Sequence, residues 1–421
     1  MPNIISGLAE VFSEIEKHVA ANRAPLAEQV PNAAADHPFT TTQVEPNAAA
    51  DHTSTTTQVE PNAAAHLSLT ATQVSNAPPD HPNPTTQVAN AAADLSPPAI
   101  QVAQKTPNFN YIYSFNYDRH HNELCKLESR QLIEEEEKDK LLFSNIKIDP
   151  STSSFMKNRF EIILSSENYS ELVNKISEEN IHVEEFKVEY LILHGDDTGY
   201  KCRLQKLRDI GYSIEGESNY HNPTITYSIC KYKSVWYFGI LIKKKSDWQK
   251  HKKKPYSFSN SLSIDLAKTL VNVASKGDKT NQLLDACCGV GTVMLEASYA
   301  GFNIEGCDIN WKACKHTRLN LAHYNYTSQV YRSDIKDLDK SYNAAIIDLP
   351  YNLYAYSDDL IISNIIESVA KLTTRLVIVS ISDITHLIDK IGFSISDYCN
   401  VGKSGKTNFA RRVWVCDKNH K

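Results

Sequence analysis

The chain has 421 residues, 41% of them hydrophobic and 22% charged, with a formal net charge of −6. That length exceeds what a single core supports and predicts two or three domains, while the near-average composition excludes a wholly disordered or fibrous protein. The longest apolar run, Val235 to Ile242, is far short of the ~20 residues a spanning helix needs, and the N-terminus lacks a basic segment followed by an apolar block; a cytoplasmic protein with no membrane partner is expected.

In chain order, residues 1–29 space Ile5, Leu8, Val11, Phe12, Ile15 and Val19 along one face of a short helix. Residues 30–107 are low-complexity, built from 15-residue units such as PNAAADHPFTTTQVE and PNAAADHTSTTTQVE. Each unit lacks the recurring large apolar residues that a stacked repeat needs, so disorder is predicted over a solenoid. Residues 108–254 alternate short strands and helices: a strand at NYIYSF, a helix at NELCKLESRQLI, a strand at RFEIILS, a helix at YSELVNKISEE, a strand at FKVEYLIL and a helix at YKCRLQKLRDIG. Two strands joined near Lys231 to Ser234 complete an α+β module.

That module ends in the lysine-dense stretch KKKSDWQKHKKK, Lys243 to Lys254. A charge run with an aromatic inside it can grip a nucleic-acid backbone while stacking on a base; the candidates are Trp248, Lys250, Lys252, Lys253 and Lys254. A merely solvated face is the competing reading.

Residues 255–421 change rhythm. The helix SLSIDLAKTLVNVA precedes strands at QLLDAC, NIEGCD, SQVYRSD, NAAIID and RLVIVSIS, alternating with helices, and the chain closes with FSISDYC and FARRVWVC. This pattern predicts a Rossmann-like α/β domain: a parallel sheet covered on both faces, with an antiparallel hairpin at one edge.

In such sheets the ligand sits beyond the carboxyl ends of the strands, and acids fall there. The first strand leads into DACCGVGT, which contains Asp285, Cys287, Gly289, Gly291 and Thr292; the second ends at Asp308, 23 positions after Asp285, and the third at Asp334. The glycines permit a tight turn, and an acid at the second strand end can accept hydrogen bonds from a ribose diol. The usual dinucleotide fingerprint has a third glycine where this chain has Met294, which favours S-adenosylmethionine over NAD. The fourth strand ends in Asp348-Leu349-Pro350-Tyr351. A carboxylate and a backbone carbonyl there can hold the N–H groups of an exocyclic amine, with Tyr351 stacked on a flipped base. An Asp-x-Pro-Tyr turn that simply ends a buried strand is the alternative. Nine scattered cysteines show no metal-binding spacing and read as reduced, mostly buried thiols, so no metal is expected.

The segments LLDACCGVGTVMLEA, GCDIN, IIDLPYN and KKPYSFSNSLSIDLAKTLVNVA resemble the THUMP-domain tRNA guanine-N2 methyltransferases and related ribosomal RNA enzymes, from about Tyr111 to Cys416. The resemblance implies a class I S-adenosylmethionine-dependent RNA methyltransferase with a THUMP-like module over 108–254 that holds the acceptor end of tRNA. It implies cofactor contacts at Asp285, Gly289, Gly291, Asp308 and Asp334, and an amine site at Asp348, Pro350 and Tyr351. One departure stands out: the family tetrad is Asp-Pro-Pro-Tyr, and Leu349 replaces its first proline, which loosens the loop while keeping the carbonyl. Ribosomal RNA guanine-N2 methylation, DNA adenine-N6 methylation and a non-catalytic RNA-binding protein remain as alternatives. A cytosine-C5 enzyme is disfavoured, because Cys287 and Cys288 lie in the cofactor turn.

Overall fold

Two sheets organise the structure, a computed structural model that describes residues 109–259, 261–350, 356–403 and 406–419. The expectations for 1–29, for the repeats of 30–107 and for Tyr351 lie outside the described residues. The first sheet contains β1 (Tyr111–Phe115), β2 (Leu141–Ser144), β3 (Met156–Ser166), β4 (Phe186–Tyr190), β5 (Ile225–Tyr232) and β6 (Val235–Lys243), in the order β2-β1-β3-β6-β5-β4. All its pairs are antiparallel except β4 with β5. Between its strands lie α1 (Asn122–Ile133), α2 (Tyr169–Glu178) and α3 (Tyr200–Tyr212). The Asn168 side chain caps α2 by accepting from the N–H groups of Ser170 and Glu171. The apolar run Val235 to Ile242 is thus a strand, and among the described residues no helix is long and apolar enough to cross a membrane. Strand β2 has no counterpart in the sequence reading; its four residues are too few to establish a period.

The second half runs α4 (Ile264–Ser275), β7 (Gln282–Asp285), α5 (Thr292–Tyr299), β8 (Asn303–Asp308), α6 (Trp311–His323), β9 (Val330–Arg332), β10 (Ala344–Asp348), α7 (Tyr356–Leu372), β11 (Arg375–Ser380), α8 (Thr385–Ile388), β12 (Phe393–Lys403) and β13 (Lys406–Lys418). Its seven strands lie in the order β12-β13-β11-β10-β7-β8-β9. β13 is antiparallel to both neighbours and the pairs from β11 to β9 are parallel, the Rossmann-like arrangement expected from the alternation.

Side-chain alternation divides this sheet cleanly. Leu284, Ala345, Ile347 and Leu349 pack with Ile362, Ile366 and Val369 of α7, whereas Leu283, Ala344 and Ile346 share a core with Leu266 and Leu270 of α4 and Met294 of α5. The second core continues past residue 254: Tyr113 and Phe115 of β1 and Leu124 and Leu127 of α1 belong to it. The described residues accordingly belong to one compact unit.

A polar seam reinforces the same junction. Arg130 of α1 donates from Nε and Nη2 to the two carboxylate oxygens of Asp397 on β12, at 3.0 and 2.9 Å, and Gln131 Nε2 donates to Asp397 Oδ2 at 2.8 Å. Arg375 of β11 reaches Gln131 Oε1 and Asp417 Oδ1, both at 2.6 Å. Burial alone would raise the pKa of Asp397, but the bonds from Arg130 and Gln131 hold it below the usual carboxylate value. Its stabilising effect is therefore present above the unfolded value of about 3.9 and is lost as pH falls through the lower folded value. Asp397→Asn should reduce stability at pH 7 by about 1–2 kcal/mol and reduce the acid sensitivity of the melting temperature below about pH 4, measured by thermal denaturation of the full chain across pH.

Candidate active site

The winding of the second sheet builds a cavity. From β7 the chain proceeds outward to β8 and β9, then crosses back to β10 on the other side of β7, and a crevice opens beyond the strand ends at this switch. A cavity of about 730 Å³ lies there, lined among others by Asp285, Cys287, Gly289, Thr292, Asp308, Asp334, Asp348, Leu349 and Pro350. Nine candidates read from four separate segments thus meet at one place. Gly291 stands behind the wall, and Tyr351 lies outside the described residues.

Register explains the convergence. Asp285 is level with Ile346 of β10 and Gly306 of β8. Asp348 and Asp308 each sit two residues further along, so with a period of two all three carboxylates share one face of the sheet. Asp285 is 2% exposed. Burial, then the charges of Asp348 and Asp308, push its pKa well above the ordinary value. Such a cluster suits a ligand that is positively charged and rich in hydrogen-bond donors. The whole lining agrees: Asp285, Asp308, Asp334, Asp348 and Glu367 face only Lys336 and Lys371.

The turn after β7 is held by side chains from elsewhere. Gly289 and Gly291 adopt φ of +55° and +77°, in the left-handed region. At Gly291 a Cβ would come within 2.6 Å of Thr317 Cγ2, whereas the space before Gly289 is open to the cavity. The Asp308 carboxylate accepts from Gly289 N–H at 2.9 Å and from Asn310 N–H at 2.8 Å. A carboxylate has about four lone-pair sites, so acceptor capacity remains for a ligand diol. Asp334 accepts from Lys336 N–H at 3.1 Å and pairs with its ammonium at 3.0 Å, interactions that hold it below the usual carboxylate range.

The fourth strand end is fixed differently from a diproline. Leu349 is buried, and its N–H donates to Val379 O at 3.0 Å, a bond that proline cannot make. The expected loosening at this position is thus offset by a ladder bond and a core contact. Burial, followed by the charges of Asp308 and Asp285, raises the Cys287 thiol well above its ordinary value, which keeps it protonated and a poor nucleophile.

Sequence reasoning missed the supports. Thr317 Oγ1 donates to Gly289 O at 2.7 Å, and Asn320 Nδ2 donates to Val290 O at 2.8 Å. Asn320 also bonds both backbone groups of Tyr256, at 2.9 and 3.0 Å, which ties the Lys254-Pro255-Tyr256 segment to the glycine turn. Both residues are fully buried, and polar residues on the inward face of α6 were the readable signal. Phe258, Ser261 and Leu262 before α4, and Asn364, Ile365 and Ser368 of α7, complete the cavity wall.

The lysine-dense stretch needs a correction. Residues 247–253 form a short 3₁₀ helix, in which positions three apart share a face. Trp248 and His251 face inward, at 2% and 0% exposed, so Trp248 cannot stack on a base; its ring area is committed to the interior. His251 Nδ1 lies 2.7 Å from Glu296 Oε1 inside a ring of tyrosines. Lys250, Lys252 and Lys253 are exposed. Lys254 is half-buried, and burial lowers its pKa. None of the five lines the large cavity. Elsewhere, Asp118, His120 and His121 bring one ligand atom each within 4.8 Å of one another, a grouping the sequence reading did not contain.

Residues 251–359 match the RMKL-like methyltransferase domain family. The tRNA (guanine(10)-N2)-dimethyltransferase of Methanothermobacter thermautotrophicus is 35% identical over 122 residues, covering 28% of this chain and 35% of that protein. The enzyme of the same description from Methanocaldococcus jannaschii is 27% identical over 168 residues, covering 37% and 46%. The chain thus spans about a third to a half of the length of these relatives. Among solved structures, TrmN from Thermus thermophilus is 12% identical with a TM-score of 0.40, covering 73% of this chain and 99% of that one.

The crowded acids make a stability prediction. A carboxyl with a raised folded value destabilises progressively as pH rises from about 3.9 through that value, because the unfolded chain ionises first. In the ligand-free protein Asp285→Asn should therefore raise the melting temperature at pH 7 by about 2–4 °C, with the gain vanishing below about pH 4.

Proposed function

We propose, from the match of residues 251–359 to the RMKL-like methyltransferase domain family, that the protein is a class I S-adenosylmethionine-dependent enzyme that methylates an exocyclic amine of RNA, guanine N2 of tRNA. The observation that carries this reading is the convergence of three strand-end carboxylates with the Asp348-Leu349-Pro350 segment on a single cavity. The names of the curated relatives support the choice of tRNA and of the guanine N2 position.

The residues fit the cofactor. An acid-rich lining matches a sulfonium and an ammonium group, the residual acceptors of Asp308 match a ribose diol, and the open space before Gly289 admits close approach of a ligand. When bound, S-adenosylmethionine supplies an electrophilic methyl group. Asp285 sits between Asp308 and Asp348, where it favours positive charge. Asp334, at the end of β9 beside buried Ile335, borders the region assigned to the adenine.

The chemistry asked of Asp348 is modest. An amine conjugated to a purine is a weak nucleophile because its lone pair is delocalised into the ring. The Asp348 carboxylate and the Leu349 carbonyl accept its two N–H groups, turn the lone pair out of conjugation and hold it in line. The nitrogen becomes acidic only as it gains the methyl group, so its proton is released late, with the Asp348 carboxylate as acceptor. Pro350 stiffens the exit from the strand, and Tyr351 is assigned to stacking on the flipped base. The 108–254 module is assigned as THUMP-like, holding the tRNA, with the exposed Lys250, Lys252 and Lys253 as backbone contacts.

Asp348→Asn should lower methyl transfer to unmodified tRNA at least about 100-fold while leaving S-adenosylmethionine affinity within about threefold. Isotope transfer and equilibrium dialysis read the two quantities, and nucleoside mass spectrometry of the product should show N2-methylguanosine. Methyl transfer at the wild-type rate by the variant contradicts the assignment.

A further inference from the structure

A second cavity, of about 510 Å³, opens where the first sheet meets α4. Its wall includes Lys157 at the start of β3, Lys243 and Lys244 at the end of β6, and Trp248, facing Asp118 after β1 and Asp265 in the first turn of α4. Ser261 and Leu262, immediately before α4, line the first cavity. The start of this helix therefore separates the two chambers.

Cations outnumber anions on this wall, with Lys157, Lys243 and Lys244 against Asp118 and Asp265. Burial lowers the Lys244 ammonium to about 8, and it donates to the carbonyl of Ser154. The ammonium also lies 5.1 Å from the Trp248 ring. The Trp248 indole N–H is buried and lacks an acceptor among the described residues. The buried Lys268 ammonium lies 5.1 Å from the same ring but outside the cavity wall, where the charges of Glu296 and Glu128 act on it. Lys243 pairs with Glu189 at 2.5 Å and keeps half of its side chain exposed, while Lys157 is exposed. An unsatisfied buried donor beside a group of cations marks a place that an anion with several acceptor oxygens would complete.

We infer that this second cavity holds a backbone phosphate of the RNA substrate, gripped by Lys157, Lys243, Lys244 and the Trp248 N–H, and so anchors the strand beside the nucleotide delivered to the first cavity. The inference rests on the RNA reading above. It gives Trp248 an edge-on role as a donor in place of base stacking. Asp118 and Asp265 on the facing wall repel a phosphate and attract the 2′-hydroxyl of its ribose, a group DNA lacks.

Filter binding of unmodified tRNA to the full chain across a salt series tests this, alongside methyl transfer. Lys157→Gln with Lys243→Gln should make the slope of log affinity against log salt shallower by about 1.4, as expected for two lost contacts to a single strand. Trp248→Phe should weaken binding about fivefold with the slope unchanged, because a neutral donor displaces no counterion. If the folded double variant keeps the wild-type slope and affinity, the inference is overturned. If wild type binds tRNA yet transfers no methyl group, the catalytic reading falls while the slopes still decide the phosphate site. Failure of wild type to bind any RNA overturns both.

Discussion

The switch in winding direction at β7 is the constraint from which the site follows. Because β8 and β10 flank β7 in parallel register, Asp285, Asp308 and Asp348 come to one face and one end of the sheet without any loop having to carry them there. Sheets of this kind are buried on both faces, so carboxylates at their core-facing positions are costly unless a ligand or solvent meets them. The raised Asp285 value records that cost in the ligand-free chain. Stability is thus held back at the place where binding restores it.

The second organising feature is the absence of a soft boundary between the two sheets. α1 belongs by sequence to the first sheet's segment, yet its apolar face packs with α4, and Arg130 and Gln131 grip Asp397 on β12. Asn272 of α4 also donates to the buried Glu128 of α1 at 2.7 Å. An RNA held by the first sheet would be presented to the cavity in a fixed orientation, the geometry an attack on a weakly nucleophilic amine requires.

Much of this was legible because period and punctuation were strong. The helices at 122–133, 169–178 and 292–299, and the strand ends carrying Asp285, Asp308 and Asp348, stand where apolar spacing put them. What escaped depends on contacts between distant segments. Thr317 and Asn320 support a turn nearly thirty residues away, which no local pattern announces. Met294 breaks the dinucleotide fingerprint, yet close packing survives because the glycine stands on the opposite element: a Cβ at Gly306 would lie 2.3 Å from Met294 Sδ. Trp248 misled because the sequence shows a charge run, whereas the three-residue repeat of a 3₁₀ helix turns its aromatic inward.

A crystal structure of the full chain grown with S-adenosylhomocysteine tests the central claim most directly. The account predicts the ligand in the 730 Å³ cavity, with ribose hydroxyls on Asp308 and the sulfur facing the Asp348 segment. A folded protein that binds the compound outside this cavity, or with the sulfur turned away from Asp348, would contradict it.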